Sequence, residues 1–569
     1  MRLSRTLRLT ALLLLWAPLA NAQTGVAPPT NALAITGATV VPAPGQVIEN
    51  ATLVIRDGII TAVGAGADIP WDARVVEADS MFLYAGFIDP LSYVGQEPPR
   101  QGGGQQEPVA DRDNPPFDRA GLEPYRSVRN MLDPAHASVK SMREAGFTAA
   151  HAVPRGRMLP GAGAVVRLDG ESADDMVLVA DVSLFAQFRG GQGVYPGTPM
   201  AMMAKMRQLY REAERRHALT EAYQDDPSGM TAPPVDPVHS ALFPLIEGDK
   251  PVFFLVDDAL ESHRALTLRE DLGFRLVLAG LPQGYDLADK LAASGVPLAV
   301  TTDFPRKPGW MAKLKRDSLL TVMDNYDPDV RTATWRDTEA EVRNLEARQA
   351  LAREDYLENA ATLAEAGARF AFTHIETSAG DIHSNIGEML AAGLDTTTAL
   401  AALTTNAADV IGMSRAMGSL EAGKLGNVVI TSGPLFAEGT EIRHVIIEGK
   451  IFDIESKASS PGGGGDGDNS DSIAGLWDMV ASTPDGDIGG TIEFSGSPGS
   501  MTAVVTYDGA PQGIDVSSVE VDGNSVAFSF QSPNGFITIS LERNGDSMSG
   551  SATLDGLDSI PLTLTRDPS

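Results

Sequence analysis

The feature that most constrains this chain is a series of short, predominantly apolar runs: Gly146-Phe147-Thr148-Ala149-Ala150, Pro251 to Val256, Arg275 to Ala279, Val296 to Val300 and Arg369 to Phe372. Helix-like stretches such as Ala259 to Leu272 and Leu287 to Ser294 separate several of them. Strands that lack polar alternation are buried on both faces, which requires a parallel sheet covered by helices. The economical closure of such a sheet is a (β/α)8 TIM-type barrel, placed here over residues 86–414. Two segments interrupt it. Gln96 to Pro124 is rich in Gly, Gln and Pro and reads as a loop, whereas Asp317 to Asn359 is charged and rich in Ala, Glu and Arg and reads as a surface helical insertion.

On both sides of the barrel region the period changes to that of half-buried strands. Residues 31–85 contain Ala34 to Thr36, Ala38 to Val41 and Ala51 to Ile55, then Asp57-Gly58 leading into Ile59 to Gly64. Asp-Gly between two alternating runs is a strong hairpin signal. The pattern returns over 415–455, at Gly426 to Ile430 and His444 to Ile447 with Gly449 before Ile451-Phe452. A lone hairpin is marginal in water, so the two ends should pair into one flanking β-sandwich. Residues 456–472, with Pro461 followed by four glycines and several aspartates, read as a flexible linker. Residues 473–569 alternate strictly, as in Phe536 to Leu541, and describe a C-terminal all-β domain, a small barrel or sandwich. Trp477 at its start is expected in the core. The fold class is therefore α/β with a composite β layer and a separate β domain.

The first 22 residues join an arginine-bearing head to the apolar run Leu12 to Leu15 and the small-x-small site Ala20-Asn21-Ala22. That is a signal peptide, with a mature start near Gln23 and a periplasmic or secreted location. No later segment reaches the roughly 18 consecutive apolar residues of a membrane span. The chain has no cysteine, which excludes disulfides, thiolate metal sites and a cysteine nucleophile. Its formal charge of −31 opposes binding to nucleic acid or anionic lipid, leaving a small-molecule ligand or substrate and oligomerisation as the open partners.

Several segments together resemble the amidohydrolase superfamily, in particular its imidazolonepropionase-like branch. They are Ala85-Gly86-Phe87-Ile88-Asp89, Gly146-Phe147-Thr148, Gly161 to Arg167, Ala399 to Ala408 and Gly418 to Lys424, and the resemblance covers most of residues 31–455. It implies a hydrolase acting on carbon–nitrogen bonds such as those of cyclic amides, with zinc held by imidazoles and carboxylates at strand ends. The residues due at those places are absent. Where the family pattern after Gly-Phe-Ile-Asp is His-x-His, Leu91 and Tyr93 stand; near Phe254-Leu255-Val256 and at Ala279-Gly280 there is no histidine; and the aspartate of the last strand is replaced by His374-Ile375. About three protein ligands are needed for a catalytic metal, so the metal site reads as degenerate, with no zinc or other cofactor expected.

Polar residues that could form a different site follow the predicted strands: His151, Asp257, Asp303 and His374, expected at the C-terminal rim as acid and base or weak ion ligands. The competing and favoured role is structural, with Asp258 and Asp303 satisfying helix N-termini or turns. Gly102 to Gly104 and Gly190 to Gly193 lack the strand and helix that a phosphate loop requires. Three functions remain open: a hydrolase with an unconventional site, a catalytically inactive relative acting as a binding or scaffold protein, and a surface-binding protein led by the C-terminal β domain.

Overall fold

The computed structural model describes residues 31–97, 109–305, 333–375, 377–454 and, with short gaps, 473–566. The segments expected to be a signal peptide (residues 1–22) and a linker (456–472), and parts of both inserts, lie outside the described residues. The chain divides into two compact units, residues 1–457 and 458–569. No helix among the described residues is long and apolar enough to cross a membrane.

In the first unit β1 (Ala32–Val41), β2 (Ile48–Arg56), β3 (Ile59–Gly64), β4 (Arg74–Glu77) and β5 (Phe82–Ala85) precede the barrel. The β2–β3 turn puts Asp57 and Gly58 both at positive φ, 51° and 79°, the backbone a two-residue hairpin needs. After the barrel come β14 (Val428–Thr431), β15 (Ile442–Ile447) and β16 (Lys450–Asp453), and β14 pairs antiparallel with β5, Val428 opposite Ala85. The two ends of the region thus share one eight-stranded sheet. Its inner face packs Ile35, Leu53, Ile55, Leu83, Ile430 and Ile446 into a single apolar cluster.

The barrel staves are β6 (Phe87–Ser92), β7 (Phe147–Ala152), β8 (Gly161–Arg167), β9 (Val177–Gln187), β10 (Val252–Val256), β11 (Leu276–Gly280), β12 (Leu298–Thr301) and β13 (Phe370–Thr373), hydrogen-bonded in that order. Seven point the same way. The eighth, β8, runs antiparallel to both neighbours, with His151 opposite Val165 and Ala162 opposite Leu184. The β7–β8 connection therefore needs no crossover helix. Between β6 and β13 no backbone ladder forms; the seam is joined by the Thr373 hydroxyl donating to Leu91 O (2.7 Å) and the His374 amide donating to the Asp89 carboxylate (3.3 Å). The insertion helix is described as Ala333–Glu365, so it runs past Asn359, and its later turns bury Ala360 and Leu363 against the barrel.

The second unit is a closed barrel of eight antiparallel strands, from β17 (Gly475–Thr483) to β24 (Ile560–Arg566), which pair with each other to complete the ring. Trp477 is fully buried; its indole N–H donates to Ile473 O (2.9 Å), and the Arg566 guanidinium lies 4.9 Å from its ring centroid. The tryptophan thus fills the core with its polar atom satisfied. Replacing it, Trp477→Ala, should destabilise this unit by about 3–5 kcal/mol. Scanning calorimetry of the full chain should show one transition lowered and the other unmoved.

Candidate functional site

Strand parity decides what faces the barrel interior. Ile88, Leu91, Phe185, Phe253, Leu255 and Val277 point inward and form one apolar cluster. Phe87, Phe147, Phe254, Phe370 and Phe372 belong to the outer layer under the helices. Leu91 is wholly buried and Leu255 is 2% exposed, so the interior at these positions is hydrocarbon in contact with hydrocarbon. Tyr93 borders the same cluster, its ring edge-on to Phe185 with centroids 6.2 Å apart and the Arg155 guanidinium 4.3 Å from its own centroid. Gly280 ends β11 at φ +89°, and a Cβ there would sit 2.4 Å from Val256 O and 3.1 Å from Leu255 Cδ1. No imidazole can occupy that position without moving the backbone.

The four polar candidates do not meet. His151 lies inside β7 rather than beyond it and faces the interior, completely buried. Its Nδ1–H donates to Pro90 O (3.0 Å), and its Nε2 accepts from the Ser183 hydroxyl (2.8 Å). Gly163 on β8 makes the room, since a Cβ there would lie 2.4 Å from Nε2 and 2.8 Å from Ser183 Oγ. Burial pushes this imidazole down to about 4, so it is neutral. His374 follows β13 but turns outward: its ring packs edge-on against Phe147 (4.8 Å), and Nδ1 shares a hydrogen bond with the Thr302 hydroxyl (2.7 Å). Burial, with the nearby His383 adding to it, pushes His374 down to about 3, and its Nε2 has no hydrogen-bond partner. The expected rim placement of both histidines is thus corrected. Counting alternation from Ala149 and Phe372 gives the observed faces, a signal already present in the sequence.

Asp257 and Asp303 do reach the C-terminal mouth. They line a cavity of about 610 Å³ with Arg189, Thr301, Phe304 and Tyr356, above a floor that includes Leu255, Gly280 and Ile375. Asp257 pairs with Arg189 at 3.5 Å, and the Asp303 amide donates to the Thr301 hydroxyl (3.0 Å). Asp258 caps the helix Ala259–Leu272 by accepting from the Glu261 amide (2.6 Å). Asp89 was missed as a structural residue. It is completely buried and accepts from the amides of Leu91 and His374, and burial raises it to about 7 against those bonds. Its second oxygen has no partner.

A zinc ion of the kind the family's strand-end pattern implies does not fit these residues. Leu91, Leu255 and Gly280 offer no donor, both nitrogens of His151 are engaged, and His374 faces away from the interior. Among the described residues no three His, Asp or Glu side chains are placed to hold a metal ion together.

The amidohydrolase family model matches residues 309–452, which run through β13 to the returning strands. Among solved structures, an amidohydrolase from Thermotoga maritima superposes with a TM-score of 0.58 at 19% identity, over 74% of this chain and all of that one. A molinate hydrolase gives 0.42 at 15% (76% and 97% covered), and a zinc-bound adenosine deaminase from Xanthomonas campestris gives 0.37 at 15% (74% and 92%). No curated protein matches in sequence. Residues 309–452 thus match the amidohydrolase family model, and the first unit has the fold of the Thermotoga maritima amidohydrolase.

The buried groups predict opposed pH dependences. His151 and His374 titrate below their ordinary 6.5, so their neutral forms contribute stability that is present above 6.5 and lost as pH falls through about 4 to 3. Asp89 titrates above its ordinary 3.8, so its contribution is present below 3.8 and lost as pH rises through about 7. In urea unfolding, Asp89→Asn, which keeps the shape and the accepting oxygen, should flatten the decline in midpoint from pH 5 to 8. His374→Gln should flatten the decline on the acid side.

Proposed function

We propose that this chain is an exported, metal-free amidohydrolase-fold protein that binds a small molecule at the open end of its barrel instead of hydrolysing one. The observation that carries this reading is the filled interior. Leu91 and Leu255 pack there, and Gly280 holds a backbone that excludes any side chain. A Lewis acid needs several donors converging on one point with a position left open, and a close-packed apolar cluster supplies neither. The mouth cavity falls within the size range of small-molecule sites and pairs an apolar floor with both signs of charge at its edge. Export is supported by the arginine-bearing head, the apolar run and the Ala20-Asn21-Ala22 site.

The second reading, hydrolysis of a carbon–nitrogen bond such as that of a cyclic amide, comes from the superfamily and is favoured by one observation: Asp257 and Asp303 share the mouth cavity and could act as acid and base.

Purified protein equilibrated with excess zinc and then desalted should retain far less than one equivalent by plasma mass spectrometry, and should not open dihydrouracil or hydantoin rings with or without added metal. Stoichiometric zinc would sink the binding reading, and so would turnover lost in Asp303→Asn. Leu91→Ala should cost about 2–5 kcal/mol of stability while leaving metal content unchanged. Sequencing of the protein from the periplasmic or culture fraction should start at Gln23; retention of Met1 would reject export.

A further inference from the structure

The barrel has a second cavity, of about 620 Å³, at the opposite, N-terminal end of its strands. It opens among Asp249, Arg269, Glu270, Arg275 and Asp409 and runs inward past Phe253, Val277 and Ile411 to the ring of His151. Two short connections assemble the rim. Arg269 lies in the last turn of the helix Ala259–Leu272, which stops at Gly273 in the left-handed conformation (φ 78°), the Gly273 amide donating to Arg269 O (2.8 Å). The chain then turns directly into β11, leaving Arg275 beside Arg269 at the same end. Asp409 closes the far side from the end of the helix Thr405–Val410.

None of these five charged groups is in an ion pair, and Arg275 donates only to the carbonyls of Gly248 (3.3 Å) and Asp249 (3.5 Å). The depth of the cavity carries no charge. Among the described residues the only titratable group there is His151, whose two nitrogens are already engaged by Pro90 and Ser183. A ligand that complements this arrangement has an apolar end directed inward and both signs of charge together at its other end. Two guanidiniums suit a carboxylate, and the three carboxylates around them suit an ammonium.

We propose that this N-terminal cavity is a binding site for an amphipathic zwitterion of α-amino-acid type with an aromatic or branched side chain. The side chain packs against Phe253 and Val277, the carboxylate meets Arg269 and Arg275, and the ammonium faces Asp249, Glu270 and Asp409. The site is independent of the mouth cavity and of whether the mouth binds or catalyses.

Isothermal titration of the full chain with L-phenylalanine tests this. Saturable binding is expected, weakened at least about tenfold for N-acetyl-L-phenylalanine, L-phenylalanine amide and 3-phenylpropionate, each of which lacks one charge. Arg269→Gln combined with Arg275→Gln should weaken L-phenylalanine and erase its advantage over the amide. Val410→Trp, at the rim, should block the cavity with the circular dichroism and thermal midpoint unchanged, and Asp303→Asn at the mouth should leave binding as it was. Absence of saturable heat, equal affinity for the blocked forms, indifference to the arginine pair, or loss with Asp303→Asn would each overturn the assignment.

Discussion

Closing a sheet of eight strands leaves one seam, and the whole first unit depends on how that seam is joined. Between β6 and β13 there is no ladder of backbone hydrogen bonds, only a threonine hydroxyl and a buried carboxylate reaching across. Asp89 binds two amides at once, one on its own strand and one on the far side. An unpaired buried amide costs roughly 1–3 kcal/mol, so this carboxyl performs for two of them what a ladder would otherwise do. Its place in the Gly-Phe-Ile-Asp segment follows from that role, whether or not a metal lies nearby.

With the seam held, the interior is free to be filled with hydrocarbon. The inward residues of successive staves meet at van der Waals contact, and a leucine at 91 is as well suited to that volume as an imidazole would be to a metal. The two arrangements exclude each other. The polar pair that remains inside, His151 with Ser183, is satisfied on every atom that can hydrogen-bond, helped by the missing side chain at Gly163. Metal donors and hydrocarbon packing therefore compete for one space, and at Leu91 and Leu255 that space holds hydrocarbon.

Much of this was legible in the sequence. The apolar runs at 252–256, 276–280, 298–301 and 370–373 are strands because nothing else buries both faces of so short a segment. The return of the strand pattern near 428 correctly signals a sheet shared with residues 32–85. Two things were not legible in the same way. The reversed stave β8 is too rich in Gly, Ala and Val to betray its direction, which is set by partners distant in the chain. His151 and His374 adjoin apolar runs, which suggests the rim, but their facing depends on a single step of alternation: one residue's difference separates the inside of the barrel from the outside.

Gly280 constrains the molecule through its backbone. Positions 91 and 255 carry leucines on backbone of ordinary negative φ, which any L side chain can adopt. At 280 the backbone itself is left-handed and pressed against Val256 O, so a histidine there requires the strand end to rebuild. The glycine thus fixes the end of β11 by geometry, since any side chain there would have to displace Val256 O.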